Sequence, residues 1–556
     1  MLNYTKYKRN PVIDFPERQW PNKQIEKAPI WCSVDLRDGN QALIEPMVVE
    51  EKIEFFNLLV KLGFKEIEVG FPSASQIEYD FLRQLVDRKL IPDDVTVQVL
   101  VQCRKELIER TFEAIQGIKN VIVHIYNSTS TLQRRVVFKM EKDEIKQIAI
   151  NGTKMVKEYA KNFDGNIILE YSPESFTGTE VEYALEVCTA VQDVWEPTPE
   201  NKIIFNLPAT VEMNTPNVYA DQIEWMNTHF KNRDCIILSI HPHNDRGTGV
   251  AISELGILAG ADRIEGTLFG NGERTGNVDI LTLAYNMFSQ GINPELEIEH
   301  INEIIEVYER CCKLPIDARH PYAGKLVFTA FSGSHQDAIN KGVQAMVNEN
   351  NPYWEVPYLP IDPSDIGREY EPIVRINSQS GKGGVAFIMD TYFGYKLPKA
   401  MHKEFADIIQ KIAEKQGEVS PEQIMNEFKV NYLDKKEPIH FKKCIISEMG
   451  EDNDAATDTK VTLTITDNGE VKTLESVGNG PINAVKNAIC DYLNIDIKIL
   501  DYSEHSLTEG SGAKAAAYIQ LMDKKTGKVS FGVGESSNIT RASIRAFISA
   551  LNRIEF

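Results

Sequence analysis

Short β-branched apolar runs alternate with longer segments of helical period through the first half of the chain. WCSVDLRD (31–38), EIEVGFP (66–72), VTVQVLVQ (95–102) and NVIVHIYNS (120–128) predict four strands. NIILEYSPES (166–175), KIIFNLPAT (202–210), CIILSIHPHND (235–245) and RIEGTLFGNG (263–272) predict four more. Between them VVEEKIEFFNLLVKLG (48–63) puts Ile53, Phe56 and Val60 on one stripe, and residues 144–163 and 179–195 repeat the period. Near-continuous apolar strands alternating with helices are buried on both faces, as parallel strands are. Eight such units in succession predict a closed (β/α)8 TIM barrel over residues 31–305 rather than an open sheet.

The flanks read differently. Residues 1–30 are polar, carry Pro11, Pro16, Pro21 and Pro29, and read as an extended arm. Residues 306–430 leave the barrel pattern and read as a connecting region with small subdomains, with residues 400–428 helical. Residues 431–556 hold an internal repeat and read as an α+β domain. The first copy (461–494) and the second (516–552) each give a strand, a Gly turn, a second strand, then a Val-Gly loop opening an amphipathic helix. Two such units would pack their sheets together. Glycine loops at helix N-termini can hold a carboxylate on backbone N–H groups, which suits a small amino-acid effector; from the repeat alone, plain packing accounts for the glycines slightly better.

Composition narrows the classes. The chain has 556 residues with 42% apolar and 25% charged, an ordinary globular balance, and a net charge of −21. That charge argues against a broad grip on nucleic acid or anionic lipid. There is no apolar run long enough for a transmembrane helix and no signal-peptide pattern at the N-terminus. The eight cysteines are scattered without CxxC spacing, so a reducing cytoplasm fits and each reads as a small buried hydrophobe.

In a (β/α)8 barrel, chemistry sits at the C-terminal strand ends. Strand 7 ends in His241-Pro242-His243. Residues i and i+2 of a strand share a side, so both imidazoles can reach one ion. Asp38 from strand 1 and Asn277 after strand 8 are neighbours when the barrel closes. Two imidazoles with oxygen ligands suit Mg²⁺, Mn²⁺, Zn²⁺ or Co²⁺ without choosing among them. Arg37 could neutralise developing negative charge or pair with Glu68 or Glu174, the commoner fate. Glu174 and Glu273 could bind substrate or move protons, or cap helices. His124 could be a satisfied core histidine. GKGGVA (381–386) matches GxGxxA but lacks a following βαβ unit, so it carries no dinucleotide reading.

Leu36-Arg37-Asp38-Gly39-Asn40-Gln41, Gly70-Phe71-Pro72, His241-Pro242-His243-Asn244-Asp245 and Gly270-Asn271-Gly272-Glu273-Arg274-Thr275-Gly276-Asn277 together resemble the metal-dependent barrel of the 2-isopropylmalate and homocitrate synthase family. EYSPESFTGTE (170–180), NLPATVEM (206–213), SGSHQDAINKG (332–342), VPYLPIDPSDIGREYE (356–371) and NSQSGKGG (377–384) resemble its longer, isopropylmalate-forming type, and GSGAKAAAYIQL (510–521) its regulatory domain. The resemblance implies condensation of acetyl-CoA with 3-methyl-2-oxobutanoate. It implies Asp38, His241 and His243 as metal ligands with Asn277 in or beside the shell, Mg²⁺ favoured, and K⁺ as an activator. Arg37 and Glu174 would act in catalysis with His335 and Tyr358 from outside the barrel. His124, Ser172, Thr210 and Glu273 would contact substrate. Leucine would inhibit through Gly478, Gly480, Asn483 and Gly534 in residues 431–556, and the chain would form a homodimer in which the connecting region reaches over the partner's barrel mouth. Alternatives are homocitrate or citramalate synthesis on another 2-oxo acid, a lyase on the same barrel, and a leucine sensor on an inactive barrel. A biotin-dependent carboxyltransferase is disfavoured by the lack of an MKM motif.

Overall fold

The computed structural model describes residues 6, 10–330, 333–370, 376–377, 382–416, 418–448, 459–507 and 513–554. It divides into two compact units, Met1–Phe328 with Ile361–Glu369, and Thr329–Pro360 with Tyr370–Phe556. Parts of five sequence readings fall outside the described residues: the arm at 1–5 and 7–9, and the motifs at Ser332, Glu371, Ser378–Gly381 and Gly510–Gly512.

In the first unit β1 (Ile30–Ser33), β2 (Glu66–Gly70), β3 (Thr96–Gln102), β4 (Asn120–Ser128), β5 (Asn166–Glu174), β6 (Ile203–Ala209), β7 (Ile236–Pro242) and β8 (Arg263–Gly266) close into one barrel in that order. All neighbours are parallel, β1 with β8 included. The intervening helices include α1 (Val49–Lys61), α2 (Gln76–Asp87), α3 (Lys105–Ala114), a single turn α4 (Thr131–Gln133), α5 (Lys142–Ala160), α6 (Val181–Trp195), α7 (Pro216–His229), α8 (Gly249–Leu258) and α9 (Ile280–Phe288). After the barrel, α10 (Ile301–Cys312) packs on α1. Ile53 and Phe56 of α1 are buried as their spacing predicts.

Two strands are shorter than the apolar runs. The run from residue 31 stops at Ser33, and Asp35–Gly39 forms a π-helical turn. The Asp35 carboxylate takes the Ser33 hydroxyl at 2.8 Å and the Leu268 N–H at 3.1 Å, which competes with ladder pairing. The run from residue 263 stops at Gly266, because Thr267 Oγ1 donates to the Asn271 carbonyl at 2.7 Å and starts a loop.

Barrel interiors are normally layers of branched aliphatic side chains. This one is polar. Arg263, fully buried, donates from Nε to Glu66 at 2.5 Å, from Nη1 to Ser239 at 2.8 Å and Glu265 at 3.0 Å, and from Nη2 to Gln98 at 2.6 Å. Gln98 of β3 reaches across the barrel to Glu265 of β8 at 2.7 Å, and Asn206 of β6 reaches the same carboxylate at 3.0 Å.

The second unit begins with α11 (Gly333–Glu349). The two-residue strands β9 (Ile376–Asn377) and β10 (Glu418–Val419) pair antiparallel, and α12 (Lys382–Phe393), α13 (Lys399–Gln416) and α14 (Pro421–Asn431) share one core. The helical stretch read across 400–428 is two helices, because Ser420 caps a new one and Pro421 follows at its first turn. The repeat is realised as two βββα units. β11 (Ile439–Glu448), β12 (Thr459–Asp467) and β13 (Glu470–Gly478) carry α15 (Pro481–Leu493); β14 (Ile497–Ser506), β15 (Ala515–Asp523) and β16 (Val529–Ser536) carry α16 (Ile539–Asn552). Val461, Leu463, Ile519 and Leu521 from the two sheets meet Val485 and Phe547 of the two helices in one core. The other face of β15 and β16, through Tyr518 and Phe531, packs on α12–α14.

All eight cysteines are free thiols, but only five are buried; Cys103, Cys444 and Cys490 are half-buried. Among the described residues no helix is long and apolar enough to cross a membrane.

Gly532 lets β16 lie against α16. A Cβ there would stand 2.1 Å from Ala550 N and 2.3 Å from Ala546 O. Backbone cannot yield as a flexible side chain can, so Gly532→Ala is expected to cost about 1–3 kcal/mol. A lowered temperature for the C-terminal unfolding transition checks this; an unchanged melt would refute it.

Candidate active site

The C-terminal strand ends enclose a cavity of about 280 Å³. Arg37, Asp38, His241 and His243 line one part of it, and His124, Ser172, Glu174, Thr210 and Glu273 the rest. Nine of the twelve barrel and connecting residues expected at the site therefore meet there. Asn277 adjoins it, its backbone bridged to that of His243. His335 and Tyr358 belong to the second unit, where their rings stack with centroids 4.1 Å apart.

The metal-ligand reading fits the atoms present. His241 Nε2 lies 3.4 Å and His243 Nε2 3.7 Å from Asp38 Oδ2, and one ligand atom from each residue falls within 4.8 Å of the others. Donors each about 2.1 Å from one ion stand roughly 3–4 Å apart, so one cation can touch all three. Asp38 Oδ2 and Asn277 Oδ1 are buried without a hydrogen-bond partner among the described residues. Asn277 Nδ2 is committed to the Asn271 carbonyl at 2.9 Å, which leaves its oxygen as the free donor atom. His241 Nδ1 is bound to Glu265 Oε2 at 2.7 Å, an arrangement that fixes the tautomer and makes Nε2 the ligating nitrogen.

The electrostatics follow from burial and pairing. Burial disfavours the Asp38 carboxylate, but Arg37 and the two imidazoles outweigh it and hold the group well below the usual carboxylate range. Burial disfavours a charged His241, yet the neighbouring Asp38 carboxylate and the hydrogen bond to Glu265 hold the ring up at about 9. Burial and the neighbouring His241 push His243 down to about 4. Arg37 is only slightly exposed, and the attraction of Asp38 and Glu68 keeps it charged. Its Nη1 donates to Asp38 at 2.6 Å and its Nε to Glu68, so of the two partners weighed from sequence Glu68 is the one used.

His124 sits on the cavity floor in a defined network. Ser172 Oγ accepts from Asn206 at 3.1 Å and lies 2.7 Å from His124 Nε2. The Glu68 carboxylate, held below its usual range, can only accept, so His124 Nδ1 donates to its Oε2 at 3.2 Å. Gln98 donates to that same oxygen at 2.7 Å. Glu174 is neither strand-internal nor a helix cap: it ends β5 and accepts from the Ser128 hydroxyl. Thr210 Oγ1 accepts the Ser175 N–H at 3.0 Å. Gln41 donates to Asp38 Oδ1 at 3.1 Å and approaches Glu273 at 3.4 Å.

Glu68, Gln98, Asn206, Arg263 and Glu265 were not read from sequence as a group. The signal was there in E-I-E (66–68), V-Q-V (97–99) and R-I-E (263–265), where polar residues alternate inside strands expected to be buried on both faces.

The effector candidates divide in two. Gly478 ends β13, Gly480 caps α15 and Asn483 lies in its first turn, so these three gather at one helix start. Gly534 lies inside β16, where a Cβ would stand 2.1 Å from the Ala542 carbonyl; helix packing accounts for it.

This fold and site define the class: residues 28–307 match the HMGL-like family. Residues 325–390 match the alpha-isopropylmalate synthase post-catalytic domain-like family, and residues 418–555 the LeuA allosteric (dimerisation) domain. A 2-isopropylmalate synthase from Clostridium acetobutylicum is 58% identical over 556 residues, covering 99% of both chains. One from Brucella suis is 55% identical over 551 residues, again covering 99% of both. The chain belongs to the 2-isopropylmalate synthase family, and it is an enzyme. A hydroxymethylglutaryl-CoA lyase structure from Pseudomonas aeruginosa is similar at 19% identity, covering 52% of this chain and 93% of that one, with a TM-score of 0.43.

Asp35, which anchors the turn carrying Arg37 and Asp38, gives a pH test. Burial raises its carboxyl from 3.8 to about 7. Between those values the folded chain holds a proton that the unfolded chain has released, so stability from this group is full below the lower value and falls as pH rises towards 7. Asp35→Asn is expected to flatten that part of the stability profile, measured by urea unfolding from pH 5 to 7. Parallel profiles for variant and parent would refute it.

Proposed function

We propose that the chain condenses acetyl-CoA with 3-methyl-2-oxobutanoate and water to 2-isopropylmalate and CoA, the first committed step towards leucine, under feedback inhibition by leucine. The observation that carries the substrate choice is the cavity wall. The recess that holds the Asp38–His241–His243 cluster has Phe71, Leu100 and Pro208 as apolar parts of its lining. Both cations that line it are engaged by acids, Arg37 by Asp38 and Glu68, and Arg274 by Asp245 at 2.6 Å. An isopropyl group suits that recess. A distal carboxylate, as homocitrate synthesis requires, would meet no uncommitted cation among the described lining residues.

Asp38, His241 and His243, with Asn277 beside them, would hold a divalent cation, Mg²⁺ first and Zn²⁺ or Mn²⁺ as alternatives, which when bound polarises the 2-oxo group of the substrate. Arg37 has Nε and Nη1 committed, so Nη2 remains to stabilise the oxyanion that forms at C2. Glu174, Thr210 and Glu273 would orient the 2-oxo acid from the rim, and His124 and Ser172 from the floor. The acetyl methyl group is a weak carbon acid, and its proton is assigned to His335, with Tyr358 stacked beside it. The new C–C bond joins that carbon to C2, the C2 oxygen takes a proton, and water cleaves the thioester C–S bond to release the CoA thiol.

The reading divides the chain into an arm (1–30), a catalytic barrel (31–305), a connecting region (306–430) and a leucine-binding domain (431–556). A homodimer is supported by the dimerisation domain matched at residues 418–555. Free cysteines throughout suit the cytoplasm.

A thiol-release assay across pyruvate, 2-oxobutanoate, 3-methyl-2-oxobutanoate and 2-oxoglutarate tests the assignment. The highest kcat/KM is expected with 3-methyl-2-oxobutanoate; preference for pyruvate or 2-oxoglutarate would overturn the choice, and no turnover with any would favour a sensor on an inactive barrel.

The effector site has its own test at Gly480, where an added Cβ meets nothing within 4 Å. Gly480→Ala therefore leaves folding and basal turnover intact. It is expected to raise the leucine concentration for half-inhibition about tenfold, within the usual range of allosteric coupling. Unchanged inhibition would move the effector site elsewhere.

A further inference from the structure

The turn Asp35–Gly39 presents both Arg37 and Asp38, and three groups pin it from outside. Two come from the β8 side: the Leu268 N–H on Asp35 at 3.1 Å and Asn271 Nδ2 on the Gly39 carbonyl at 3.1 Å. The third is Lys52 of α1, whose ammonium donates to the Leu36 carbonyl at 3.1 Å. Lys52 is 0% exposed, and a lysine is almost never fully buried unless paired. Its partner is Glu78 in the first turn of α2, and the ammonium lies 5.1 Å from the centroid of the Phe81 ring.

Glu78 is fixed in turn. Ser75 caps α2 by accepting the Glu78 N–H at 3.3 Å. The second carboxylate oxygen of Glu78 accepts the Phe71 N–H at 3.4 Å, and Phe71 lines the cavity. That oxygen also fills the space beside the end of β2: a Cβ on Gly70, whose φ is +153°, would stand 1.9 Å from it. Neither Lys52 nor Glu78 lines the cavity. Buried ion pairs are weak stabilisers, and well-packed apolar replacements are often neutral or better. Stability is therefore a poor reason for this pair. The two backbone groups that it grips, one in the β1 turn and one after β2, give a better one.

We propose that Lys52 and Glu78 are positioning residues for the metal site: one buried ion pair holds the β1 turn and the β2 end together, and so keeps Arg37 and Asp38 aimed into the cavity. The proposal rests on the metal-site reading above. The full chain carrying Lys52→Met with Glu78→Gln tests it, because removing both charges leaves no unpaired buried ion. This double variant is expected to melt near the parent temperature. Its Kd for Mn²⁺, titrated without substrate, is expected to rise about ten- to hundredfold and its kcat to fall on the same scale, the usual cost of losing a group that orients metal ligands. The KM for acetyl-CoA is expected to stay put. Parent-like melting with Mn²⁺ affinity and kcat both within about twofold of the parent would reduce the pair to packing and overturn the proposal. If the double variant does not fold, Lys52→Arg keeps the charge and moves the donor, and the same two outcomes are read from its Mn²⁺ titration. Absence of condensation activity in the parent would sink the functional reading alone, since Mn²⁺ binding needs no turnover.

Discussion

A single buried guanidinium organises this barrel. Arg263 has no exposure to solvent, and an uncompensated charge at such depth costs several kcal/mol. It must therefore be surrounded by acceptors, and Glu66, Glu265, Ser239 and Gln98 from four different strands supply them. The carboxylates that satisfy it are not consumed by it. Glu265 gives one oxygen to Arg263 and Gln98 and the other to Asn206 and His241 Nδ1. The charge balance of the core thus sets the orientation of the His241 imidazole above it. An aliphatic core would close the barrel equally well and leave His241 free to rotate.

The same network reaches the other side of the cavity. Glu68 accepts from Arg37, Gln98 and His124, so burial notwithstanding, its carboxyl is held below the usual range, chiefly by Arg37. Gln98 has one amide and two carboxylates to serve, Glu68 and Glu265, and its carbonyl faces Arg263. It stands between two like charges and bonds to both. Glu170, the third interior carboxyl, has neither oxygen hydrogen-bonded, and burial together with Glu265 raises its pKa well above the normal range. The raised Glu170 pKa lessens the negative charge that Arg263 and Arg37 have to balance inside the barrel.

The strand count, the parallel order and the strand-end residues were legible in the sequence because parallel strands announce themselves by apolar continuity, and because strand ends are where a barrel places its chemistry. Asp38, His241 and His243 needed only that frame. The ends of β1 and β8 were not legible: they are set by Asp35 bonding to Leu268, residues 233 apart in sequence, and no local pattern carries that. The interior network was half legible. The alternating E-I-E and R-I-E segments showed polar residues in buried strands, but their partners sit across the barrel, so spacing along one strand could not pair them. Lys52 is the hardest case. It occupies the i−1 position beside Ile53 in an amphipathic helix, where a lysine reads as a flank of the polar face, and only the carbonyl of Leu36 and the carboxylate of Glu78 show otherwise.

His335 and Tyr358 mark where residue-by-residue reading stops. Both are exposed, Tyr358 at 62%, and each taken alone is an ordinary surface side chain. What distinguishes them is their pairing: Tyr358 adopts φ +67°, a left-handed conformation that costs a tyrosine energy, and its ring lies over the imidazole. An exposed aromatic held in a strained backbone against a histidine has little to gain as packing, since neither ring is removed far from water. The histidines of the barrel are set by its own charges, since Asp38 and Glu265 hold His241 up and His241 pushes His243 down. On the reading proposed above, in which His335 takes the acetyl proton, the base would belong to a different unit from the residues that hold the electrophile.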